Sequence, residues 1–145
     1  MIELHDICVS FRSERQEKIF GNTRIQVLFD VSLKIGRGVC LGILGESGSG
    51  KSTLGNVLCG LLKPDRGSYT LDGVPMDGRR EGKRLLQSRM SVVFQDYTTS
   101  ANPRFRVRDI LTEGIRAWER RSGQRTGRQE ECRRLLELVG LDESF

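Results

Sequence analysis

The sequence predicts an α/β fold, and three observations lead to it. Apolar residues alternate with polar ones through the opening strands, a glycine-rich segment joins a short apolar run to a helical pattern, and the residues beyond 106 carry only the helical period. Ile2 and Leu4, then Ile7, Val9 and Phe11, mark a first strand; Val27, Phe29, Val31, Leu33 and Ile35 mark a second. The polar stretch from Arg12 to Arg24 reads as a long hairpin loop between them. Gly36-Arg37-Gly38 is a turn, and Val39 to Leu44 is a continuous apolar run, the pattern of a strand buried on both faces.

A helix follows, with Leu54, Val57, Leu58 and Leu61 on one face, ended by Pro64, Asp65 and Gly67. Ser68 to Leu71 is a strand closed by the Asp72-Gly73 turn, and Ser91 to Phe94 is a second buried-strand candidate. Val107, Ile110, Leu111, Ile115 and Trp118 then share one helical face, with Trp118 read as a packing residue. Cys132, Leu135, Leu136 and Val139 share another, across the polar loop Ser122 to Thr126. Thr126-Gly127-Arg128-Gln129 has the spacing of a capping box, and Gly140 is placed to end the last helix.

At 145 residues the chain amounts to one domain or less, which excludes a large multidomain enzyme. No apolar run approaches the roughly 18–20 residues of a membrane span, and no basic-then-apolar leader opens the chain, so an intracellular protein is expected. Cys8, Cys40, Cys59 and Cys132 are far apart with a single histidine, His5, which argues for buried reduced thiols rather than zinc or disulfides. The net charge of +5 lies wholly between Arg104 and Arg134, a stretch of arginines mixed with acids and poor in aromatics. It reads as a solvated helical face rather than a nucleic-acid surface.

The most informative segment is Gly45-Glu46-Ser47-Gly48-Ser49-Gly50-Lys51-Ser52-Thr53, which fits G-x-x-x-x-G-K-[ST] between an apolar run and a helix. The glycines let the backbone bring successive N–H groups to one point, and the helix start adds its positive end, so the segment is built for an anion. Lys51 supplies charge for β- and γ-phosphates, Ser52 a hydroxyl for Mg²⁺, and Thr53 an α-phosphate contact. A metal-holding acid at a later strand end is not evident: Asp30 precedes the loop on a half-exposed strand, and Asp96 follows an intervening glutamine. An Asn-Lys-x-Asp string is absent, which disfavours a GTPase.

These residues resemble the ATP-binding subunit of an ABC transporter, a P-loop NTPase with an antiparallel β subdomain and a helical subdomain. The resemblance runs through Val31-Ser32-Leu33-Lys34-Ile35-Gly36, the glycine loop, Gly60-Leu61-Leu62, Val92-Val93-Phe94-Gln95-Asp96, Ala101-Asn102-Pro103-Arg104 and Val107-Arg108-Asp109-Ile110. It is most specific for the oligopeptide, dipeptide and nickel importer subfamily, although Tyr97 and Ala101 depart from that pattern and leave the substrate open.

The resemblance implies that residues 1–95 are the N-terminal part of the ATP-binding core and 96–145 the Q-loop region with the first part of the helical subdomain, in a C-terminally truncated cassette. It makes Gln95 the residue reaching Mg²⁺ and the attacking water, and Phe11 the aromatic that stacks on adenine. Asp96 to Arg104 would contact the membrane-spanning partner. It further implies permease subunits, a second ATP-binding subunit, a substrate-binding protein acting indirectly, and a place at the cytoplasmic face of the membrane. The signature motif, the metal-holding acid with its catalytic Glu, and the switch His fall beyond Phe145 in the family order, and His5 cannot replace the last. The readings in contention are therefore ATP hydrolysis driving import, a nucleotide-binding or interaction module without turnover, and a P-loop kinase.

Overall fold

The computed structural model describes residues 1–13, 24–95 and 102–142. The middle of the expected hairpin loop, and Asp96, Tyr97 and Ala101 with most of the loop leading to Arg104, lie outside the described residues. The elements are β1 (Ile2–Arg12), β2 (Arg24–Ile35), α1 (Lys51–Leu58), β3 (Arg66–Leu71), β4 (Val74–Pro75), α2 (Arg80–Arg89), α3 (Val107–Ser122) and α4 (Arg128–Leu138). Two compact units emerge, Met1–Val92 and Val93–Phe145.

In the first unit an antiparallel sheet runs in the order β2-β1-β3-β4. Leu4, Ile7 and Val9 of β1, Leu28 of β2, Tyr69 and Leu71 of β3, and Leu54 and Val57 of α1 form its core. A regular strand would send Leu4 and Ile7 to opposite faces. Asp6, at φ 49°, provides the extra residue: Leu4 lies opposite Leu33 and Ile7 opposite Val31, so three steps along β1 match two along β2. Ser32 holds this bulge, accepting the Asp6 N–H at 2.9 Å and donating its hydroxyl to Asp6 Oδ1 at 3.0 Å. Gly67, at φ +95°, faces the same bulge from β3, where a Cβ would lie 2.5 Å from the carbonyl oxygens of His5 and Asp6.

A second irregularity corrects the expected phase of β2. Ile7 to Val9 is matched by Val31 to Leu28, with Asp30 at φ 45° absorbing the surplus residue. Leu28 therefore enters the core and Phe29 turns outward to 65% exposure, so the alternation expected through Val27 and Phe29 does not hold across Asp30. The Asp72-Gly73 turn does close a hairpin, pairing Leu71 with Val74 through positive φ at both turn residues. Beyond it, α2 was not anticipated: its sequence is dominated by charge, with Leu85 and Leu86 alone supplying apolar contact to the core.

Neither run expected as a doubly buried strand forms one. Val39 to Leu44 and Ser91 to Phe94 are irregular, with Leu44 96% and Val93 97% exposed. A strand needs a neighbour to take its N–H and C=O groups, and no strand pairs with either run among the described residues. Cys40 shares this exposure, against the expectation of buried thiols; Cys8 and Cys132 are buried and Cys59 is half-buried, all four being free.

At the end of α1 the Leu58 carbonyl, beyond the reach of an intrahelical donor, accepts the Tyr69 hydroxyl at 2.8 Å. Burial, with a smaller contribution from Cys59, pushes the Tyr69 phenol up to about 12.

In the second unit α3 and α4 bury Ile115, Cys132 and Leu136, while Trp118 and Val139 remain substantially exposed and so pack less than their stripes implied. Glu119, nearly buried, binds Arg128 through Nε at 3.0 Å and Nη2 at 2.8 Å and accepts the Thr126 N–H at 3.1 Å. This replaces the expected capping box. The N-cap is Gly127, one residue later, so Thr126 is displaced from the capping position and its buried hydroxyl has no partner. The Arg128 hydrogen bonds, followed by that from Thr126, hold the Glu119 carboxyl below its usual range.

Gly67→Ala should destabilise the protein by about 2 kcal/mol or more in urea unfolding, because a left-handed backbone and a backbone clash coincide there. Gly38→Ala, also at positive φ but with no atom within 4 Å of the added carbon, should cost roughly 1 kcal/mol, and equal losses would remove the clash from the explanation.

Because the Glu119 carboxyl titrates below 4.5 in the fold, its stabilisation is complete above the unfolded value and is lost as pH falls through the lower folded one. Glu119→Gln should therefore flatten the acid limb of an unfolding profile followed through Trp118, the chain's one tryptophan and a neighbour of Glu119.

Candidate phosphate-binding loop

The loop from Gly45 to Gly50 is exposed up to its last residue, which is buried. Gly50 is the N-cap of α1 at φ 92°, and a Cβ there would meet Leu28 Cδ2 at 2.8 Å and the Val27 carbonyl at 3.2 Å. The chain thus needs glycine twice over at this point, for the left-handed turn and for close seating on β2. Sequence reasoning identified the glycine but not its seat, since nothing in the pattern links position 50 to Leu28.

The Lys51 ammonium folds along the loop, donating to the carbonyls of Gly45 at 2.8 Å and Glu46 at 2.6 Å, with Ser49 Oγ at 3.4 Å. The Ser49 N–H closes a turn onto the Glu46 carbonyl at 3.2 Å. The cation therefore sits at the loop rather than out in solvent. The first turn of α1 carries neither an acid nor a side-chain cap, whereas α2, α3 and α4 place Glu81, Asp109, and Glu130 with Glu131 in theirs. The N–H groups of Lys51, Ser52 and Thr53 have no intrahelical acceptors by helix geometry, while Leu54 N–H already bonds Gly50 O at 2.9 Å.

An exposed glycine loop, a lysine ammonium and an uncompensated helix start make a donor set suited to a polyanion. Ser52 is exposed beside it and Thr53 half-buried. Leu54 and Val57, buried beneath, hold α1 on the sheet.

The remaining candidates stand on other segments of the chain. Phe11 stands near the end of β1 opposite Ile25, 43% exposed. Gln95 lies in the second unit, exposed, at a bend. Asp30 is engaged elsewhere: it accepts from the Cys8 thiol at 3.1 Å and from Arg66 Nη2 at 2.5 Å, which together hold its carboxyl low, the thiol contributing most. That agrees with reading it as a polar strand position rather than a metal ligand. His5 is exposed on β1, and Asp96 lies outside the described residues. Among the described residues no cluster of three or more His, Cys, Asp or Glu is arranged to hold a metal ion.

The family described as ABC transporter matches residues 28–144. The metal-staphylopine import system ATP-binding protein CntF of Staphylococcus aureus (strain Mu50) is 36% identical over 146 aligned positions, covering 100% of this chain and 55% of the relative. A putative peptide import ATP-binding protein of Brucella abortus (strain 2308) is 39% identical over 129, covering 86% and 37%. The ATP-binding cassette MJ0796, solved as a dimer in a post-hydrolysis state bound to ADP and Pi, superposes with a TM-score of 0.78 at 25% identity, covering 100% of this chain and 60% of that one. The fold is that of an ABC cassette, and the chain spans about half the length, or less, of these two curated relatives.

Lys51→Met keeps the side chain's length and removes its three donors. Amide hydrogen exchange at Ser49, whose N–H closes the turn onto Glu46, should then accelerate several-fold while the core strands keep their protection; unchanged exchange there would mean that the ammonium does not hold the loop.

Proposed function

The chain belongs to the ABC transporter family, and from that premise we propose that it holds ATP with Mg²⁺ and, within the whole protein, hydrolyses ATP to energise import of peptides or of nickel and other metal complexes. The observation that carries this reading is the Lys51 ammonium held at the mouth of a glycine loop whose helix start no acid compensates. Lys51 and the loop N–H groups bind the β- and γ-phosphates, Ser52 offers its hydroxyl to the metal, and Thr53 contacts the α-phosphate. Gly45, Glu46, Ser47, Gly48 and Ser49 supply the backbone of the cradle, and Gly50 anchors it to β2.

Phe11, exposed at the end of its strand, is the proposed adenine platform. Gln95, whose amide can both accept from water and ligate a cation, is the proposed contact to metal and attacking water. Bound Mg²⁺ would contribute charge neutralisation between phosphate oxygens.

The proposed cargo rests on the relatives' own descriptions, metal-staphylopine import in one and peptide import in another. The partners proposed with it are permease subunits, a second ATP-binding subunit, for which dimeric cassettes are the precedent, and a substrate-binding protein acting indirectly. Among the described residues no helix is long and apolar enough to cross a membrane, so the proposed place at its cytoplasmic face is reached through the permease.

Equilibrium binding of a fluorescent ATP analogue tests the reading. Lys51→Ala should weaken it roughly 10–100-fold, the equivalent of one or two charge-assisted hydrogen bonds. Ser52→Ala should reduce the gain in affinity on adding Mg²⁺, and an affinity indifferent to Lys51 would overturn the proposal.

A further inference from the structure

At the far end of α1 from the glycine loop, the first unit contains a cavity of about 260 Å³. Its apolar lining comes from Val57, Leu62, Met76 and Leu86, and Lys63 and Lys83 also border it. Glycine shapes two of its walls: a Cβ on Gly60 would strike Leu86 Cδ1 at 2.6 Å, and one on Gly82 would strike the Pro75 carbonyl at 2.7 Å. Neither lysine ammonium has an ion-pair or hydrogen-bond partner among the described residues, although exposed acids are common elsewhere on this unit and most of them are paired. Lys83 stands in the first turns of α2, where Glu81 offsets the positive end of the helix, so the charge at this border of the cavity is the ammonium itself.

An apolar chamber bordered by two uncompensated cations is complementary to a molecule with a hydrocarbon body and one anionic end. An apolar cavity of 150 Å³ accommodates benzene, so 260 Å³ at the same packing accommodates about ten non-hydrogen atoms. We propose that this cavity is a binding site for a short-chain amphiphilic carboxylate, its chain against Val57, Leu62, Met76 and Leu86 and its carboxylate between Lys63 and Lys83. The site is independent of the phosphate loop, being formed at the opposite end of α1 and by β3, the segment after β4, and α2.

The probe is octanoate, titrated into the full chain below its micellar range and followed by methyl chemical shifts of Leu62, Met76 and Leu86, with octanol as the uncharged counterpart. Octanoate should shift these methyls saturably, and octanol should bind at least tenfold more weakly. The double variant Lys63→Gln/Lys83→Gln alters only exposed side chains, so it keeps the fold; it should bring octanoate down to the octanol level. Leu86→Trp, which fills the chamber, should abolish binding of both, with its unfolding midpoint measured alongside to confirm that it folds. Octanoate and octanol binding equally, octanoate binding unchanged by the lysine substitutions, or inorganic phosphate displacing octanoate without any dependence on chain length would each overturn the proposal.

Discussion

The first unit depends on a change of phase inside one strand. Of the four side chains most completely removed from solvent, Leu4, Ile7 and Val9 stand on β1 and the fourth, Val57, on α1. Without the extra residue at Asp6, Leu4 would point away from the other two and the sheet would have no single apolar face for α1. The bulge is therefore what seats the helix, and the helix is what positions the glycine loop at its start. Gly67 and Ser32 serve that one irregularity, one by leaving room for it and the other by bonding both its N–H and its carboxylate.

The charged groups around the sheet follow the same logic of geometry over energy. Asp6, Asp30 and Asp72 are the described non-glycine residues at positive φ, a region that a short hydrogen-bonding side chain tolerates better than most. Each is tied down: Asp6 to Ser32, Asp30 to Cys8 and Arg66, Asp72 to the N-terminal ammonium and Arg37. Such exposed pairs add little stability individually. Their effect is to select one backbone path among several of similar energy, and Asp65, which gathers Ser10 and Arg24 at the start of β3, does the same for the neighbouring strand ends.

The legible and illegible parts of the chain divide along physical lines. The glycine loop and α1 could be read because both depend on local properties, backbone freedom and a helical stripe. The break in alternation between Leu4 and Ile7 was also visible, and it is the bulge itself. The matching break in β2 was hidden because Val27 and Phe29 are as apolar as Leu28, so hydrophobicity could not say which faces inward. The runs 39–44 and 91–94 were misread because an apolar stretch specifies only that it can be a strand; whether it becomes one depends on a partner elsewhere. The capping box failed through competition, since Glu119 from the preceding helix claimed the backbone around Thr126. For the site, the motif located Lys51 and its loop, while the seat of Gly50 on β2 is a tertiary contact with no local signature.

Lys51 occupies a double position. The ammonium that suits the loop for a phosphate is also bonded to two of the loop's own carbonyls. Binding of an anion there is an exchange, in which those bonds are traded for stronger charge-assisted ones, and the affinity is the difference between the two sets. The exchange is inexpensive only if the helix end of the loop keeps its seat when the lysine turns away. That condition is met from the other side: Gly50 rests on Leu28 and Val27, and Leu54 and Val57 fix α1 to a sheet whose apolar face exists because β1 is bulged. The core thus fixes the end of the loop that opens the helix, while the stretch around Gly45 and Glu46 gives up its own hold on Lys51 when a ligand takes the ammonium.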